Sequence, residues 1–127
     1  MGEGTMADVK KDDVREHRID MEVVADAHDE EERAMGWYYY LEEKLAFPFQ
    51  ARCIAEKRSS PIQRGEVVEV TGMAPEEDCE HDMLVDVQWQ GRALAVPLSQ
   101  LEGIGIDEAT QEAIGDWHYW LARGYEF

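Results

Sequence analysis

Apolar positions recur with two different periods along this chain, and the change of period divides it. From residue 28, HDEEERAMGWYYYLEEKLAF places Ala34, Met35, Tyr38, Leu41 and Leu45 at helical spacing. Asp29, Glu30, Glu31 and Glu32 crowd the first turns, where acids complement the helix dipole. Pro48 disfavours helical dihedrals at Phe47, so the helix stops before it. Beyond Pro48 the period becomes two. Phe49, Ala51, Cys53 and Ala55 alternate with Gln50, Arg52, Ile54 and Glu56 and predict a strand. Val68 and Val70 predict a second strand ending at Gly72, and Val85, Val87 and Trp89 a third within residues 83–89. Gln90 and Gly91 make a tight hairpin turn into a fourth strand over 92–96. Residues 97–101 predict a single helical turn and 102–104 a short closing strand. A last helix starts at the N-cap Asp107, carries Ala109, Ala113, Ile114, Trp117, Trp120 and Leu121 on one stripe, and ends at Gly124.

Before residue 28 the pattern is weaker. Ile19, Val23 and Ala27 fit a helix, while Ile19, Met21 and Val23 also fit a strand; the scarcity of flanking turn residues favours the helix. Residues 1–17 are polar and lack a period, so they read as a flexible tail ahead of a single domain over 18–127. Short strands, hairpin turns and a one-turn helix before the last strand predict an α+β fold. Its centre is a small SH3-like antiparallel barrel, flanked by N-terminal helices and a C-terminal helix.

Charge changes the picture more than composition does. The chain has 29 acids against 12 bases, a net −17. Residues 66–127 hold 14 of the acids and only two bases, Arg92 and Arg123. Phosphate-directed nucleic-acid binding and anionic membranes both need Lys and Arg, so neither is expected. Cations and basic proteins remain as partners. The start of the chain carries no apolar targeting stretch, and Cys53 and Cys79 form no disulfide framework, which predicts a cytoplasmic protein with free thiols.

The densest acidity lies in APEEDCEHD, residues 74–82. Five of its nine residues are acids: Glu76, Glu77, Asp78, Glu80 and Asp82. Calcium takes six to eight oxygens at about 2.3–2.6 Å, and a carboxylate-only set suits a hard cation rather than zinc. The spacing is not that of an EF-hand. A second candidate set stands on the last helix, where Glu108, Glu112 and Asp116 follow Asp107 at i, i+4 and i+8. Like charges at that spacing repel unless an ion sits near them. Both clusters also have a plain reading, as a solvated loop and a wet helix face. Cys79 and His81 lack zinc-site spacing. No phosphate loop, nucleophile elbow or metalloprotease motif occurs, so no enzyme is expected.

Four segments in order resemble one family. GWYYYLEEKLAFPFQARC (36–53), GEVVEVTGMAPEEDCEHDM (65–83), AVPLSQLEGI (95–104) and DWHYWLARGYEF (116–127) are similar to the bacterial calcium-binding family typified by a small cyanobacterial protein, CcbP. The resemblance implies a monomeric, acidic, non-EF-hand calcium binder, acting as buffer or sensor. The alternative expectation is an acidic interaction module that docks a basic protein.

Overall fold

The computed structural model describes residues 10–127, and the first nine residues, part of the expected tail, lie outside the described residues. Three α-helices and five strands follow in the order α1 (Asp13–Arg18), α2 (Glu30–Lys44), β1 (Phe49–Cys53), β2 (Val67–Met73), β3 (Leu84–Trp89), β4 (Arg92–Pro97), β5 (Leu101–Ile104) and α3 (Glu108–Ala122). The helical reading at Ile19 holds, as a wide turn over Ile19–Val23 that continues α1. All of helix α1 but its last residue, Arg18, falls inside the stretch expected to be tail.

The sheet is antiparallel with strand order β4-β3-β2-β1-β5. It is not closed into a barrel, which corrects the SH3-like expectation. β4 pairs with β3 alone and β5 with β1 alone. A 3₁₀ turn over Leu98–Gln100 carries the chain from one edge to the other without joining them. The β3–β4 hairpin turns at Gln90 and Gly91, both at positive φ, matching the sheet's twist.

One sheet face supplies half of the core. Phe49, Ala51, Cys53, Val68, Val70, Val85 and Val87 are buried, while Gln50, Arg52 and Gln88 face out. Helices α2 and α3 cover that face. Trp37 of α2 packs against both Trp117 and Trp120 of α3, with ring centroids 5.0 and 5.5 Å away, and those two rings stack on each other at 5.6 Å. On α3 the buried stripe includes Thr110 and Asp116, whereas Ala109 is exposed.

The N-terminal segment lies against both helices at glycines. A Cβ on Gly36 would stand 2.2 Å from the Val23 carbonyl oxygen, and one on Gly115 would stand 2.9 Å from the Arg15 guanidinium. Alanine is the better helix former by about 1 kcal/mol. Overpacking against a backbone atom typically costs 1–3 kcal/mol. At so short a distance the clash wins, so Gly36→Ala should lower stability by about 2 kcal/mol in a thermal melt. A midpoint at or above that of the parent chain would mean that Val23 does not dock on α2.

Candidate metal centre

The acidic segment is not a floppy tether. Pro75 sets its start at φ −56°, Glu76–Cys79 wind into one 3₁₀ turn, and the Asp78 N–H donates to the Pro75 carbonyl at 2.9 Å. Its base is anchored twice. The Ala74 N–H donates to the Leu84 carbonyl at 3.0 Å, and the buried Tyr38 hydroxyl of α2 donates to the Ala74 carbonyl at 2.7 Å. Cys79 is fully buried and accepts from the Leu84 N–H at 3.4 Å. Burial raises its thiol pKa, with Asp78, Asp82 and Asp86 adding to the rise, so Cys79 is a neutral anchor beneath the acids.

Anchoring sets the loop against the start of α2. Between them lies a cleft of ≈ 440 Å³ lined by Glu30, Glu31, Ala34 and Met35 on one wall and Glu76, Glu77, Glu80 and His81 on the other. Five glutamates from two elements face this space, and neither Lys nor Arg lines it. Asp29 caps α2 by accepting from the Glu32 N–H at 2.8 Å, and Glu32 folds back to accept from the His28 N–H at 2.6 Å. Glu32 is thus occupied, whereas Glu30 and Glu31 line the cleft. The positive end of the α2 dipole opposes a cation here, but its charge is about half an electron, less than that of either glutamate.

The other loop acids are placed differently. Asp82 is half-buried and accepts from the Met83 N–H at 2.8 Å. It borders a neighbouring hollow that shares Glu30, Glu80 and His81 with the cleft. Burial raises its pKa, moderated by the Met83 N–H and by Lys57. Asp78 faces Asp86, whose pKa rises through burial and then through that repulsion.

The last helix is a separate matter. Asp107 is an N-cap and accepts from the Thr110 N–H at 2.7 Å. Glu108 and Glu112 border a shallow surface shared with Arg15 and Arg18, and Glu112 pairs with Arg18 at 3.4 Å. Asp116 is completely buried. Its Oδ1 accepts from Arg15 at 2.6 Å and Arg18 at 2.7 Å, and its Oδ2 from Arg18 Nε and the Tyr40 hydroxyl, both at 2.8 Å. Every lone pair of that carboxylate has a donor, so a cation would have to displace two guanidiniums. The structure therefore does not gather Asp107, Glu108, Glu112 and Asp116 with the loop, and it gives Asp116 a structural task.

Calcium's demands can be set against this donor set. Six to eight oxygens at about 2.3–2.6 Å need several carboxylates drawn to one point. The five cleft glutamates offer enough oxygens, all of the hard type. Among the described residues, no group of three or more His, Cys, Asp or Glu side chains stands gathered as a metal cluster. The cleft acids stand apart as uncompensated like charges, and rotation of long glutamate side chains is the motion that would close them on an ion. Glu30 and Glu31, which the sequence does not single out as candidate ligands, line this cleft. Their signal in the sequence is a run of four consecutive acids, more than the one or two that a helix start uses.

Comparison with known proteins follows the same direction. The profile of a family described as calcium binding, the CcbP family, matches residues 17–121. The chain is similar to a solved structure described as the crystal structure of Anabaena CcbP, with 50% identity, a TM-score of 0.85, and coverage of 96% of this chain and 100% of that one. It is also similar to a structure described as a calcium binding protein in the calcium-binding form, with 47% identity, a TM-score of 0.83, and coverage of 95% and 98%. No curated protein matches. No described helix is long and apolar enough to cross a membrane. The chain belongs to the CcbP family of calcium-binding proteins, and its cofactor is Ca²⁺.

Proposed function

We propose that this chain binds calcium in the cleft between the first turn of α2 and the 76–82 loop, as a buffer or sensor of the free ion. The observation that carries the reading is the joint placement of Glu30, Glu31, Glu76, Glu77 and Glu80 around one cleft without Lys or Arg. Asp82, in the adjoining hollow, is a sixth candidate oxygen source. The loop is fixed at its base and exposed at its acids, so the side chains can adapt to a coordination sphere without the fold giving way. Glutamates on two elements reach an ion at variable distance. Magnesium needs six ligands at about 2.0–2.1 Å in near-octahedral geometry, and releases its waters reluctantly. Calcium should therefore win over magnesium by at least about tenfold in Kd.

The test compares melting in calcium and in chelator at constant ionic strength, then titrates calcium with magnesium as competitor. A ligand bound only by the folded chain adds about 2.7 kcal/mol at a hundredfold excess over Kd. A raised midpoint in calcium, with calcium retained against magnesium, is the expected result. Equal midpoints would remove the specific site. One-for-one displacement by magnesium would mark a counterion cloud around an acidic surface, and leave an acidic docking module as the better reading.

A further inference from the structure

Two consecutive tyrosines of α2 grip the acidic loop, and they do so differently. Tyr38 is buried and holds backbone, through the Ala74 carbonyl. Tyr39 is 50% exposed and holds a side chain: its hydroxyl donates to Glu76 Oε2 at 2.7 Å. Its ring stands edge-on to that of Tyr38, with centroids 5.6 Å apart and planes at 88°. The Tyr39 ring contributes little to the core, and its polar atom is spent on a residue that lines the cleft. A phenol is protonated at neutral pH and an ionised carboxylate only accepts, so the Tyr39 hydroxyl is the donor in this bond.

We infer that Tyr39 is a positioning residue for calcium, holding Glu76 by one oxygen so that the other faces the ion. This rests on the cleft reading above. An exposed glutamate gives up most of its rotamer freedom when it binds an ion. A hydrogen bond already made in the ion-free protein removes part of that freedom beforehand, leaving Oε1 and the remaining lone pair of Oε2 as donors. It also ties the loop wall to the helix wall at the point where the two must act together. Partners that orient a metal's ligands typically account for about 10–100-fold in metal affinity. The exposure of Tyr39 places it at the low end.

The test is a double-mutant cycle on the full chain, read by calcium calorimetry, with melting in chelator as a second readout. Tyr39→Phe should raise the calcium Kd about tenfold. Its melting midpoint in chelator should match that of the parent, which a merely structural role would not allow. In a Glu76→Gln background, Tyr39→Phe should cause no further loss. In a Glu77→Gln background the full loss should persist, because Tyr39 does not hold Glu77. A Tyr39→Phe variant that binds as the parent does overturns this inference alone. So does an equal loss in the Glu76→Gln and Glu77→Gln backgrounds. A parent chain that takes up no calcium removes the cleft reading and this one together.

Discussion

Asp116→Asn should lower the melting midpoint by about 10 °C and leave calcium affinity unchanged. Asp116 is the one carboxylate with no solvent exposure among the described acids, and it takes four hydrogen bonds from Arg15, Arg18 and Tyr40. Asparagine keeps the shape but turns an amide NH₂ toward donors. Two guanidiniums then lose their counter-charge in a site that only partly admits water. Removing one partner of a buried pair typically costs 3–5 kcal/mol. Arg15 and Arg18 keep 30% and 17% side-chain exposure, which favours the low end, about 3 kcal/mol. Replacing the whole network by well-packed apolar groups would be a different experiment, since a buried ion pair need not be stabilising on balance. The bond to Asp116, above all, raises the Arg18 pKa well above its ordinary value, against the pull of burial. Thermal melts and calcium titration of the same variant separate the two roles. A stable variant with weakened calcium binding would return Asp116 to the metal.

The second large effect is on the ion itself. Glu30→Gln with Glu80→Gln removes one charge from each wall of the cleft while keeping volume. Calcium affinity follows the number of charged oxygens, and about tenfold per carboxylate, or 1.4 kcal/mol, is a modest expectation. The double variant should therefore raise Kd about a hundredfold. Its melting in chelator should change little, because the relief of repulsion between the walls offsets the loss of the Glu30 charge from the first turn of α2, where it complements the helix dipole. Glu108→Gln with Glu112→Gln, at the surface of α3, should leave Kd unchanged. A reversed pattern in calorimetry would move the site to that helix.

Periodicity carried most of the fold. The two long helices, the five strands, the Gln90-Gly91 turn and the Asp107 cap all follow from local pattern, and the resemblance of four ordered segments carried the family. What sequence missed lies in long-range relations. Helix α1 reads as tail because DVREHR has a single apolar residue. It is held instead by Arg15 and Arg18 on Asp116, by Tyr119 and Tyr125 on Glu16, and by the gap at Gly115, about a hundred residues away. The unclosed sheet was also out of reach, since strand period says nothing of whether β4 meets β5. Asp116 was open to a closer reading. It stands three residues after Ala113 and four before Trp120, so it shares the buried face, although the i, i+4, i+8 spacing of acids suggested a wet one. The place of Glu30 and Glu31 on the cleft wall depends on contacts distant in sequence, of Tyr38 with Ala74 and of Tyr39 with Glu76, which bring residue 76 beside residue 30.

Anomalous diffraction from crystals grown in calcium tests the cleft directly. The cleft proposal predicts a calcium peak between the first turn of α2 and the 76–82 loop, with carboxylate oxygens from both walls at about 2.3–2.6 Å. A peak against Glu108 and Glu112, or one that touches the loop without Glu30 or Glu31, would contradict it.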